Sequence, residues 1–187
     1  MKNTKVMLGA LAVLATLALA TTAVAAVVIK GTNGPDVLNG TDGNDLIVGK
    51  KGNDTINGLA GNDRIHGNQD NDVLVAGSGN DRVWGGHGND SLAGGEGNDA
   101  LRGRPGDDAL DGGAGNDRMW PGRGADTQNG GDGDDVLHAL ARDGQVDTID
   151  CGPGNDVVWL NAKETTDVHR NCEKVKTVSV SGDGDDS

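Results

Sequence analysis

The sequence predicts an all-β protein built as a parallel β-solenoid, and three observations support that class. From residue 31 to residue 138 the chain divides without a gap into twelve blocks of nine residues. The sixth residue is Asp in all twelve blocks, and the fourth is Gly in all but one. The 187 residues include 33 Gly but only 3 aromatic residues, all Trp, which argues against a conventional large core. The glycines lack a three-residue period, so collagen is excluded.

The first 25 residues predict a secretory signal peptide. Lys2 and Lys5 precede an unbroken apolar stretch over residues 6–20, and residues 23–25 form a small-x-small cleavage pattern. The alternative is a retained anchor, but about 15 apolar residues are too few to span a bilayer. We therefore expect cleavage after Ala25 and a secreted chain with no transmembrane segment. Residues 26–30 form a short lead-in.

Each nonapeptide, numbered one to nine below, predicts a turn followed by a short strand. Gly at positions one and four permits positive φ, so positions one to six should form a tight turn with inward carbonyls. Positions seven to nine should alternate outward, inward and outward, as a strand does. Two blocks would form one coil of eighteen residues, giving about six stacked coils. Gln128 occupies the inward position eight, and we expect 121–129 to be the least regular block.

The Asp at position six is the candidate metal ligand. Stacked coils would bring these carboxylates within about 4.8 Å of one another, a repulsive column that requires a bound cation. Carboxylate and carbonyl oxygens, without soft ligands, favour Ca²⁺. The candidate ligands are Asp36, Asp45, Asp54, Asp63, Asp72, Asp81, Asp90, Asp99, Asp108, Asp117, Asp126, Asp135 and, beyond the regular blocks, Asp156.

The blocks GGHGNDSLA, GGEGNDALR and GGAGNDRMW resemble the G-G-x-G-x-D-x-U-x nonapeptide of RTX (repeats-in-toxin, hemolysin-type) calcium-binding proteins. The resemblance implies a right-handed parallel β-roll. In that fold each Ca²⁺ would lie between same-side turns two blocks apart, held by position-six Asp and turn carbonyls. Five gaps on each edge imply up to about ten ions.

The C-terminal region predicts weaker repeats followed by a cap. After a three-residue slip at 139–141, residues 142–159 continue the pattern with Asp147 and Asp156 in register. Cys151 and Cys172 are the only cysteines, and outside the cytoplasm such a pair most often forms a disulfide; two free thiols or a metal site are the alternatives. Residues 160–181 would form a disulfide-linked cap with a last strand near 174–180. Residues 182–187 read as an acidic tail.

Charge and motifs limit the function. Asp+Glu 29 against Lys+Arg 16 gives a net charge of −13, which argues against nucleic acid and for cations as partners. No hydrolase, metalloprotease, nucleotide-binding or EF-hand motif occurs, so we expect no enzymatic activity. The histidines, His66, His87, His138 and His169, are expected to be solvated surface residues.

Two function classes remain. The first is a secreted, calcium-binding structural module. The second is an adhesive module that binds a cell-surface or polysaccharide partner and uses calcium only as scaffold. It is suggested by the outer face of the even-numbered blocks, where Trp84, Arg102 and Trp120 fall in one column at a spacing suited to cation–π stacking. The simpler interpretation of that face is a solvated sheet whose Arg residues offset the acidic turns.

Overall fold

A computed structural model describes residues 25–141, 143–163 and 166–179, and that part of the chain contains strands and turns but no helix. The described residues therefore include no membrane-spanning helix. The predicted signal peptide, except Ala25, and the tail 182–187 lie outside the described residues. The strands are β1 Val28–Lys30, β2 Val37–Asn39, β3 Leu46–Lys51, β4 Thr55–Ala60, β5 Arg64–Gln69, β6 Val73–Ser78, β7 Arg82–His87, β8 Ser91–Glu96, β9 Ala100–Pro105, β10 Ala109–Ala114, β11 Arg118–Arg123, β12 Thr127–Asp132, β13 Val136–Ala139, β14 Thr148–Asp150, β15 Val157–Asn161, β16 Val168–Arg170 and β17 Lys174–Val178.

The strands form two parallel sheets, and the chain alternates between them. The nine odd-numbered strands form one sheet and the eight even-numbered strands form the other. As far as β13, each strand pairs with the next strand of its own sheet eighteen residues along, as Val73 pairs with Ser91. This register confirms a parallel β-solenoid with two nonapeptides per coil, of about eight turns. Near the C-terminal end Thr127 pairs with Thr148, an offset of 21 that matches the expected three-residue slip.

The strands are longer and the turns shorter than the sequence predicted. From β3 to β12 each strand has six residues, which cover positions seven to nine and positions one to three of the next block. The six-residue turn was therefore wrong, because cross-coil pairing continues past position one, as between Gly77 and Gly95. Positive φ occurs at positions two and four, not at position one: Gly77 has φ 114° and Gly79 has φ 139°, whereas Gly94 is outside that region.

The core is a single column of position-eight side chains between the sheets. Ile47, Leu74, Leu101 and their equivalents are fully buried. Gln128 takes the same position, as expected, and its Nε2 donates to the backbone carbonyl of His138 at 3.0 Å. The expectation that 121–129 is irregular was wrong, because β11 and β12 run through this block in normal register. This bond satisfies one end of the amide, whereas Gln128 Oε1 is buried without a hydrogen-bond partner.

Both ends carry strands outside the regular blocks. The lead-in forms β1, in which Val28 pairs with Leu46. At the other end β16 and β17 add one strand to each sheet. Cys151 and Cys172 form the predicted disulfide, with their Cα atoms 5.2 Å apart.

Candidate calcium-binding turns

The position-six aspartates form two columns, one along each edge of the solenoid. In each rung the backbone N–H of one residue donates to Oδ1 of the aspartate in the next coil; for example Asp72 N–H donates to Asp90 Oδ1 at 2.8 Å. These carboxylates are almost completely buried, except for the half-buried Asp36 and Asp167 and the exposed Glu173 at the ends of the columns. One column contains Asp36, Asp54, Asp72, Asp90, Asp108, Asp126, Asp147 and Asp167, and the other contains Asp45, Asp63, Asp81, Asp99, Asp117, Asp135, Asp156 and finally Glu173. All thirteen predicted ligands therefore lie in these columns.

Gly at position one makes room for the carboxylate inside the coil. A Cβ added to Gly49 would overlap Asp54 Oδ2 and would lie 3.0 Å from the carbonyl oxygen of Gly67 in the next coil. At Gly94 the added Cβ would overlap Asp99 Oδ2 and would lie 2.6 Å from the carbonyl oxygen of Gly112. A carboxylate oxygen and a carbonyl oxygen thus converge beside each position-one glycine.

The second carboxylate oxygen has no hydrogen-bond partner in most rungs. Among the described residues, buried Oδ2 atoms without a partner occur at Asp54, Asp63, Asp72, Asp81, Asp90, Asp99, Asp108, Asp117, Asp126, Asp135, Asp156 and Asp167. A buried charged oxygen left unpaired costs several kcal/mol, on the order of the whole stability of a small domain when repeated this often. Such a column requires a positive partner.

The pKa values of these carboxyls are raised, which reflects the same cost of burying neighbouring negative charges. Burial raises the pKa of Asp108 to about 8, and the neighbouring carboxylates Asp126 and Asp90 add to the rise. Burial likewise raises the pKa of Asp72 and Asp117 to about 7. The backbone N–H in each rung opposes this effect but does not cancel it.

A second ladder, which the sequence reasoning missed, lies at position five. Here the hydrogen bonds run in the opposite direction, since the N–H of Asn80 donates to Oδ1 of Asn62 in the preceding coil at 2.7 Å. The same bond joins Asn98 to Asn80. The signal was present: position five is Asn or Asp in ten of the twelve blocks. The side-chain amides on the outside of the turn thus complement the carboxylates inside it.

Three carboxylates near the C-terminal end were not among the predicted ligands. Asp147 accepts from Asp126 N–H at 3.0 Å, and Asp167 accepts from Asp147 N–H at 3.1 Å. On the other edge Glu173 Oε2 accepts from Asp156 N–H at 2.9 Å. Asp147 could have been included among the predicted ligands, because the sequence already placed it in register with the nonapeptides. Asp167 and Glu173 stand 20 and 17 residues after their neighbours, and such spacings hide them from a search for period eighteen.

The donor set suits a hard cation. Within the described residues no three His, Cys, Asp or Glu side chains come together as a metal site, so an ion would need backbone carbonyl oxygens as well. What the turns offer is carboxylate Oδ2 atoms and backbone carbonyl oxygens, which are the ligands of Ca²⁺. The residues therefore fit a calcium ion between turns.

The outer face of the nine-stranded sheet is basic. Its strands carry eleven Lys or Arg residues and no Asp or Glu. The strands of the eight-stranded sheet carry four acidic residues and one Arg. The two sheets therefore differ in charge, and the strand residues at positions two and three add to the difference.

Aromatic and cationic side chains stack along this basic sheet. The Arg102 guanidinium lies 4.8 Å from the centre of the Trp120 ring, as the column spacing predicted. His66 stacks on Trp84 at 4.4 Å between ring centres, and Trp120 stacks on His138 at 5.0 Å. The expectation that His66 and His138 are solvated was wrong, because both are half-buried in this stack. Ring faces thus contact neighbouring coils.

Together, the fold and the carboxylate columns define a cation-binding β-solenoid. A family model of the RTX calcium-binding nonapeptide repeat matches residues 30–65, 39–74, 66–101, 93–128 and 129–162. The chain therefore belongs to the RTX calcium-binding repeat family. A search of curated proteins gave no match.

Proposed function

We propose that this chain is a structural, non-enzymatic module that folds when Ca²⁺ binds between its stacked turns. The observation that carries the proposal is the double column of buried carboxylates, in which Oδ2 has no hydrogen-bond partner at twelve of the aspartates. The proposed ligands are the position-six aspartates and Asp156, with backbone carbonyls of the turns. Up to about ten ions would bind.

The residues of the chain determine how calcium would act. Each Asp Oδ1 already holds the backbone of the preceding coil, so the carboxylate is fixed in place with Oδ2 beside the position-one glycine. A bound ion would supply the positive charge that lets adjacent carboxylates stay ionised inside the turn. Folding and binding are then one equilibrium, because the unfolded chain lacks the converging oxygens.

Circular dichroism during a Ca²⁺ titration tests this function. The purified protein should gain β structure cooperatively, with a midpoint near the ~10⁻⁴–10⁻³ M of extracellular calcium modules. Mg²⁺ at the same concentration is the control, since Mg²⁺ demands a stricter octahedron and keeps its waters. Full β structure in the presence of a chelator would refute the proposal.

We further propose that the module is secreted and that its C-terminal region acts as a cap. The apolar segment after Lys5 and the disulfide between Cys151 and Cys172 support an extracellular location. The disulfide joins β14 to the segment before β17, where the sheets end. Mass spectrometry of the exported protein tests both points, since cleavage after Ala25 and loss of two thiol protons each give a defined mass.

A second candidate function is binding of an anionic glycan of a cell envelope to the basic sheet. The absence of any acidic residue from the nine odd-numbered strands favours it. Ring faces are occupied within the stack, so contact would depend on charge and would weaken with salt. Arg82→Gln/Arg118→Gln should lose binding in Ca²⁺. Thr55→Glu/Thr127→Glu, which changes net charge equally on the other sheet, should retain it; equal losses would refute a specific face.

A further inference from the structure

The first two turns are closed by threonine, unlike all later regular turns. Thr32 and Thr41 occupy position two of the first and second blocks. Thr41 donates its N–H to Asp45 Oδ2 at 2.7 Å and its hydroxyl to the same oxygen at 2.9 Å. Thr32 donates in the same way to Asp36 Oδ2, at 2.6 Å and 3.0 Å. The oxygen that is left unpaired in later turns is thus paired twice here.

A backbone difference at position two explains the change. In the ten later blocks the residue at position two always has positive φ, including the non-glycine residues Lys50 (97°), Leu59 (80°) and Arg104 (83°). Thr32 and Thr41 are not in that region. A β-branched side chain strongly disfavours positive φ. The threonine turn therefore takes another conformation, in which its own N–H points at the carboxylate.

The electrostatics of the two kinds of turn differ accordingly. The Asp45 carboxylate accepts three hydrogen bonds, from Val27 N–H on Oδ1 and from the N–H and hydroxyl of Thr41 on Oδ2. Asp63, in the next coil of the same edge, accepts the Asp45 N–H on Oδ1, and its Oδ2 has no partner. The Asp45 carboxylate is thus stable as an anion without a cation. An ion placed at its Oδ2 would face the positive end of an N–H dipole.

We propose that Thr32 and Thr41 close the first turn of each edge in place of calcium, so that ion binding begins at Asp54 and Asp63. The proposal rests on the calcium-binding function above, removes Asp36 and Asp45 from its set of ligands, and assigns these threonines as the residues that set where the ion columns start. The N-terminal end of the solenoid then keeps its carboxylates paired even where no further coil precedes them.

Ion counting on threonine variants tests the proposal. Thr32→Gly/Thr41→Gly gives both turns the glycine of the later blocks, and calorimetry at saturating Ca²⁺ should show one additional ion per edge. The matched control is Lys50→Gly/Leu59→Gly, at the same position of the next two blocks, which should leave the count unchanged. A count that stays at the wild-type value in the threonine variant would overturn the proposal.

A second pair of variants keeps the test decisive if the glycine turns fail to order. Asp45→Asn should leave the ion count unchanged, whereas Asp63→Asn should lower it, although both remove one charge from the same edge. Equal losses would overturn the proposal. Circular dichroism in Ca²⁺ is measured for every variant. A wild-type chain that neither binds nor folds would instead refute the calcium-binding function itself.

Discussion

Acidification should restore the solenoid in the absence of calcium. Nine buried position-six carboxyls have pKa values raised to between about 6 and about 8, with burial as the main cause in each. A carboxyl whose folded pKa lies above its unfolded value of 3.8 favours folding when protonated. That stability is fully present below pH 3.8 and is lost as the pH rises through the folded pKa.

The magnitude follows from the pKa values. The pKa of Asp108 is about 8 in the folded chain, so at pH 7 this carboxyl is mostly protonated when folded and ionised when unfolded. Between the unfolded pKa and pH 7 folding loses roughly 1.4 kcal/mol per pH unit, which amounts to about 4 kcal/mol for this group. Nine such groups together exceed the ~5–15 kcal/mol that stabilises a typical domain. The calcium-free chain should therefore be unfolded at neutral pH and should regain β structure as the pH falls toward about 4, because at pH 5 each group still disfavours folding by ~1.6 kcal/mol.

The assay is far-ultraviolet circular dichroism in chelator, from about pH 8 down to about pH 4. Light scattering is recorded in parallel, because the sequence pI of about 4.4 favours association at lower pH. Addition of Ca²⁺ at neutral pH should give the same spectrum as acid. A chelated chain with an unchanged spectrum across this range, whether folded or unfolded, would refute the reasoning.

Three further outcomes are expected. Asp99→Asn, which loses a buried carboxylate shared by two rungs, should weaken Ca²⁺ binding about tenfold, or ~1.4 kcal/mol. The control Glu96→Gln, at an exposed residue of the same block, should change the affinity by less than about twofold. Equal Ca²⁺ midpoints for the two variants in calorimetry would indicate a diffuse polyanion. Cys172→Ser should leave the central coils intact, so that limited proteolysis finds new sites only after about residue 140; first cuts near residue 40 would contradict it. Leu59→Gly should raise stability to urea by up to about 1 kcal/mol, because it relieves the positive φ of 80°, and a loss of that size would show that the strain is absent.

The parts of the fold fixed by the nine-residue period were predictable. The pairing offset, the buried position eight and the alignment of the aspartates all follow from spacing alone. Strand length was not predictable, because positions two and three vary while their backbone still pairs across coils, as at Gly95 and Gly113. The role of Thr41 was also hidden, since it depends on a hydrogen bond that no repeat pattern encodes. Glu173 was missed because it replaces the position-six Asp outside the period.

The aspartate ladder gives the solenoid an order of assembly. In every rung the amide belongs to one coil and the carboxylate to the coil that follows it in sequence. When Ca²⁺ induces folding, the Asp N–H of a coil therefore stays unpaired until the following coil orders against it. The last rung is Asp156 to Glu173, and the disulfide-bonded Cys172 immediately precedes Glu173. Every rung thus points toward the C-terminal end, and the disulfide tethers the segment that completes the last rung.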